Sequence, residues 1–222
     1  MKAREHMSKT ESSDEMSLTR VEALSDGLFS IALTLLVLDI KVPHLADAEN
    51  ATALVRALLN QWPVYLSYAI AFLTLGSVWI AHHQMLKFVA RTTRTLQVLN
   101  IVFLMFVTIT PFTTSLLAEY LQQPNKLGIA AFVYGLGWVL QGVSQLVLWF
   151  YLRKQHLLRH SLTAAKIASA TRTYMTGTMF GAVATALALL VPIVSVVIYG
   201  LVALLYVLPL ANIFESKEEK RK

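Results

Sequence analysis

Cysteine is absent from the 222 residues, which excludes disulfide frameworks and thiolate metal sites and leaves the redox environment unread. Charge is scarce as well: only 14% of residues are Asp, Glu, Lys or Arg, well below the roughly 25% of an ordinary soluble domain. Common catalytic signatures are missing. The chain has no H-E-x-x-H, no G-x-S-x-G and no phosphate-cradling glycine loop. It also lacks a T-V-G-Y-G carbonyl loop and any helix with arginine at every third position. The two halves are too dissimilar to read as the internal repeat common in transporters. Residues 1–18 hold no apolar run, so no cleavable signal peptide is expected there, and the first apolar segment has to direct insertion.

What fills the chain instead is hydrophobic sequence, 56% of all residues, gathered in long runs. Segments of about twenty apolar residues suit membrane-crossing helices. They can be drawn at 20–40, 62–88, 96–120, 127–152, 174–191 and 193–214. The expected fold is therefore an all-α membrane protein with six transmembrane helices per subunit. A polar N-tail (1–18), a six-helix domain (19–214) and a charged C-tail (215–222) make up the chain.

Orientation follows from Lys and Arg, which are retained on the cytoplasmic side. The tails and the even-numbered connections hold 16 of the 19 basic residues; Lys41, Arg56 and Lys126 are the others. Both termini are thus expected in the cytoplasm. Topology and anionic headgroups account for the net charge of +6, and no nucleic acid is required. Val191-Pro192 leaves room only for a tight hairpin between the last two helices, and 51–61 reads as a short amphipathic helix on the outer surface.

The informative residues are the polar ones at membrane depth. The first span carries Arg20, Glu22, Ser25, Asp26, Ser30, Thr34 and Asp39, and so is poorly suited to lipid. On a helical wheel Gly27, Ile31, Thr34, Leu35 and Leu38 share one stripe, and Asp26, Ser30, Leu33 and Val37 a neighbouring one. Periodicity alone lets the first stripe be a plain packing face, with Thr34 bonded back to the carbonyl four residues earlier. Asp26 needs a partner, because an unpaired aspartate at this depth costs roughly 2–3 kcal/mol. Trp79, His82, His83 and Asn100 fall at a similar depth and can donate to a carboxylate. A buried clamp without chemistry satisfies the same facts. Gly128, Gly135 and Gly142 recur every seventh residue, and Gly177 and Gly181 form G-x-x-x-G; both favour close helix approach, within or between subunits. Pro111 and Pro209 are expected to kink or end their helices.

These residues together resemble the transmembrane protein 175 family of lysosomal and bacterial potassium channels. The family's first helix opens on an arginine followed four residues later by Phe-Ser-Asp; here Arg20 precedes Leu24-Ser25-Asp26, with leucine in place of phenylalanine. Trp79 and His82 match its W-x-x-H, Asn100 closes an L-x-x-L-N, and Pro111-Phe112 ends the similar stretch, about the first half of the chain. The resemblance implies a homotetramer in a bacterial plasma membrane, conducting potassium passively without a cofactor. It implies a pore lined by the first helix, whose apolar side chains form a hydrophobic selectivity filter. On this sequence those positions match Ile31, Thr34 and Leu38, with Leu35 beside them. Arg20, Ser25, Asp26, Trp79, His82 and Asn100 are implied to hold that helix at a set distance from the axis.

Two other classes compete. In a proton-coupled secondary transporter Asp26 and His82 would titrate during a cycle. A membrane-embedded metalloenzyme would use His82 and His83, yet adjacent residues project about 100° apart on a helix and no carboxylate follows at i+3 or i+4.

Overall fold

The computed structural model describes the backbone of residues 2–44 and 50–207 and the side chains of residues 18–44 and 50–205. Among them the regular elements are helical: α1 (Lys2–Leu35), running into a 3₁₀ turn (Leu36–Asp39), α2 (Ala51–Asn60), α3 (Trp62–Lys87), α4 (Arg94–Thr108), α5 (Thr110–Tyr120), α6 (Pro124–Lys154), α7 (Ala164–Ala188) and α8 (Pro192–Val207). No strand occurs among the described residues, only an isolated bridge between Val89 and Leu158. The helix starts follow local chemistry. The side chains of Asn50, Thr93 and Thr163 accept from the third following backbone N–H, at 3.1, 3.2 and 3.3 Å, and so cap α2, α4 and α7.

Four segments are long and apolar enough to cross a membrane: Leu18–Asp39, Trp62–Lys87, Arg94–Tyr120 and Pro124–Lys154. The chain is a multi-pass, all-helical membrane protein. The helix of the first segment extends back to Lys2, so the backbone is already helical through the polar N-terminal stretch. The expected sixth span runs beyond α8 into residues 208–214, which lie outside the described residues, as do Pro209 and the C-tail 215–222.

The third apolar segment is two helices. Pro111 has no N–H to give, and the helix breaks at Ile109. Gln141 of α6 covers the break, its side-chain amide donating to Phe106 O at 3.1 Å and to Thr110 Oγ1 at 2.8 Å. A membrane interior has no water for that task, so a neighbouring helix has to do it.

Three buried clusters hold the bundle. One joins α3, α5, α6, α7 and α8 around Tyr134, Trp138 and Tyr199. A second gathers one end of α1, α3, α4, α6 and α7 around Met85, Trp149 and Tyr174. The third, around Phe29, Leu75 and Phe103, lies beneath α1. Lipid tails are as apolar as leucine, so close packing does the holding here, and the glycines show it. A methyl group on Gly135 would overlap the Tyr199 hydroxyl and Thr185 Oγ1, and one on Gly142 would press on Thr178. The seven-residue glycine row thus serves contacts within one subunit.

The connection after α6 ends in a Schellman motif: His156 is left-handed at φ 51°, Leu157 N–H bonds Leu152 O at 3.0 Å, and His156 N–H bonds Arg153 O at 3.3 Å. It turns the chain so that Ala90 N–H reaches Leu157 O and Arg159 N–H reaches Phe88 O, both at 2.8 Å. Arg159 Nε adds a bond to Val89 O at 3.1 Å. The two basic connections are thereby clipped together.

Candidate pore-lining helix and the residues that hold it

One side of α1 is packed and the other is bare. Val21, Ser25, Phe29 and Ala32 are buried on the side of α1 that packs against α3 and α4, and Leu36 of the following 3₁₀ turn is buried with Ile70 and Ala71 of α3. Leu24, Gly27, Ile31, Thr34, Leu35 and Leu38 are exposed on the subunit, Ile31 at 53% and Leu38 at 60%. The most polar of the spans thus leaves an apolar stripe open on the subunit. Thr34 Oγ1 lies 2.9 Å from Ser30 O and 3.0 Å from Ile31 O. Its hydrogen is taken by the helix, and both lone pairs of the oxygen stay free to accept.

The neighbouring stripe divides. Leu33 packs onto the buried clusters, whereas Ser30 is exposed and Val37 is 47% exposed. The last turn explains Val37. A 3₁₀ helix turns about 120° per residue against about 100° in an α-helix, so Val37 and Leu38 swing away from where the α-helical wheel puts them.

Two consecutive residues fasten α1 to two different helices. Asn100 Nδ2 of α4 donates to Ser25 Oγ at 3.1 Å, and Ser25 Oγ in turn donates to Val21 O at 2.8 Å. Trp79 of α3 donates its indole N–H to Asp26 Oδ1 at 2.8 Å. Because adjacent residues diverge by about 100°, the pair fixes the rotation of α1 as well as its distance. His83 stacks on Trp79, with ring centroids 5.4 Å apart, and its Nδ1 lies 3.8 Å from Asp26 Oδ1.

His82 goes elsewhere. It is buried, stacked on Phe103 at 4.4 Å and tilted against Phe29 at 6.0 Å, so it joins α3, α4 and α1 through ring packing. Arg20 is exposed, and among the described residues it is not brought to Trp79, His82 or Asn100.

A second fastening was not foreseen from the sequence. Ser115 of α5 donates to Asp39 Oδ2 at 2.6 Å while also lying 3.0 Å from Pro111 O. At about 1.5 Å per residue, Asp26 and Asp39 sit roughly 20 Å apart along the axis. The apolar stripe is strung between these two anchors. Asp39 stood out by composition, but its partner is 76 positions away and depends on the break at Pro111.

Comparison with known proteins identifies the family. The family model described as the endosomal/lysosomal potassium channel TMEM175 matches residues 20–111, a stretch that contains Arg20, Ser25, Asp26, Trp79, His82 and Asn100. A potassium channel of Streptomyces collinus is 40% identical over 188 residues, covering 84% of this chain and 90% of that protein. A potassium channel of Chamaesiphon minutus is 44% identical over 124 residues, 56% of this chain and 60% of that one. The crystal structure of a lysosomal potassium-selective channel TMEM175 homologue from Chamaesiphon minutus superposes with a TM-score of 0.76 at 34% identity, covering 86% of this chain and 96% of that chain. The chain belongs to the TMEM175 family.

Proposed function

We infer that this protein is a potassium channel and not an enzyme, and we propose that four copies arrange α1 around a common axis. The exposed stripe of Ile31, Leu35 and Leu38 with Thr34 among them, on a helix otherwise fastened by hydrogen bonds, is the observation that carries the proposal. Each subunit crosses the membrane six times with both termini in the cytoplasm, as the charge distribution supports. The membrane is a bacterial plasma membrane, and the pore works without a cofactor.

In this arrangement Ile31 forms the tightest apolar ring, and Leu38 forms another toward the outside. An apolar ring passes ions only when wide enough to stay wetted, so small displacements of α1 open and close it. Potassium holds its hydration shell less firmly than sodium, which lowers its cost of passing beside hydrocarbon. Thr34, its hydrogen turned to the helix, offers oxygen lone pairs next to the ring as a partial substitute for water. Ser25, Asp26, Trp79, His82 and Asn100 set the radius from below, and the Asp39–Ser115 bond holds the other end; Arg20 belongs to the same cytoplasmic end without sharing their hydrogen bonds.

Purified protein in liposomes, tested with potassium, sodium and proton gradients in turn, checks the reading. A channel dissipates a potassium gradient with weak saturation. Uptake of potassium against its gradient, driven by protons, is the result that would replace the channel by a proton-coupled transporter.

A further inference from the structure

A groove of about 680 Å³ runs along the outside of α7. Arg172 lies midway along it, with Arg153 of α6 also in its lining; Ala164, Ile167 and Ala168 line it before Arg172, and Met175 and Met179 after it. Arg153 is held in place: its Nη1 donates to Thr171 Oγ1 at 3.4 Å, and its guanidinium lies over the Phe150 ring at 5.9 Å. Thr171 is itself fixed by the Trp149 indole N–H at 2.9 Å. A guanidinium has five N–H donors, and this arrangement engages one of Arg153's.

Charge identifies the occupant. No Asp or Glu occurs between Glu119 and Glu215. Among the described residues Arg153, Lys154, Arg159, Lys166 and Arg172 therefore have no ion-pair partner. The stretch beyond Arg172 points to hydrocarbon, since Met175 and Met179 in the groove and Phe180 and Val183 past its end are 43–63% exposed. From Arg172 to Val183 the helix rises roughly 17 Å, close to the ~15 Å hydrocarbon depth of one leaflet. A pair of arginines, followed by about 10 Å of groove that continues as exposed apolar helix surface, matches the phosphate and acyl chain of a phospholipid.

We propose that this groove binds an anionic phospholipid, with its phosphate against Arg153 and Arg172 and an acyl chain along Met175 and Met179 that continues over Val183 beyond the groove. The site requires only that the protein be in a membrane, and it stands whether or not α1 lines the pore.

Native mass spectrometry of the full chain in detergent tests it, using phosphatidylglycerol and phosphatidylcholine with identical acyl chains. Phosphatidylglycerol should bind preferentially. Arg153→Gln and Arg172→Gln should each weaken it roughly fivefold and leave phosphatidylcholine unchanged, and Lys126→Gln, an equal charge loss outside the groove, should change neither. Inorganic phosphate in excess should fail to displace the lipid. Equal binding of the two lipids, an equal loss in Lys126→Gln, or displacement by phosphate alone would each overturn the proposal. So would broadening of a spin label on Met179→Cys by its counterpart on a second copy rather than by spin-labelled lipid.

Discussion

The Trp79 indole N–H donates to Asp26 Oδ1 at 2.8 Å, and this bond ties α3 to the helix that carries the apolar stripe. Asp26→Ala removes the acceptor and strands the donor, a loss of about 1–3 kcal/mol. Asp26→Asn keeps a carbonyl oxygen for the indole and should cost much less. Oligomer stability on heating and open probability in bilayers measure the difference. Wild-type values in both Asp26→Ala and Trp79→Ala would show that the bond does not position α1.

The stripe gives an internal comparison. Ile31→Ala and Ile31→Asn should widen and wet the constriction, raising conductance and admitting sodium. Thr34→Val should shift the potassium-to-sodium ratio more than the conductance, since it keeps the volume and removes the oxygen. Leu33, packed inside the subunit, is the control: Leu33→Ala should lower stability and leave selectivity alone. Val37, exposed by the 3₁₀ turn, does not serve that purpose. Equal selectivity changes in Leu33→Ala and Ile31→Ala would move the pore to another face.

The Asp39–Ser115 bond predicts a gating phenotype at the opposite end. Ser115→Ala should loosen the 3₁₀ turn by about 1 kcal/mol, speeding amide exchange at residues 37–40 and altering open dwell times, with little change at Trp79. Exchange that stays at the wild-type rate would mean the turn is held by packing alone.

Gly135 is a packing position by geometry. Gly135→Ala should overlap the Tyr199 hydroxyl and Thr185 and destabilise the subunit by roughly 1–3 kcal/mol, with partial rescue by Tyr199→Phe. Gly76→Ala, where a methyl meets nothing within 4 Å, should be neutral. Thermal unfolding of the single and double variants reads this directly.

The absence of native cysteine makes topology simple to measure. A membrane-impermeant maleimide added to intact cells should label Lys126→Cys and spare Lys154→Cys until the cells are opened. The reverse pattern would invert the orientation read from the basic residues.

Much of this protein was legible in its sequence, because a bilayer punishes unpaired polarity strongly enough to be seen residue by residue. Apolar length marked the four segments long and apolar enough to cross a membrane, Pro111 marked the break, and Val191-Pro192 marked the hairpin between α7 and α8. The wheel also put Ile31, Thr34, Leu35 and Leu38 on one stripe, and that stripe is exposed on the subunit while Phe29 and Ala32 are buried. Pairing was another matter. Trp79, His82 and His83 all stood as donors to Asp26, and only the rotation of α3 decided that Trp79 makes the bond while His82 turns to Phe103. Ser115 met Asp39 because the chain breaks at Ile109, and Val37 came to the surface because the last turn tightened. A helix's period follows from backbone geometry and is written locally, whereas a partner across the bundle depends on how two helices are rotated against each other, which only their mutual packing decides.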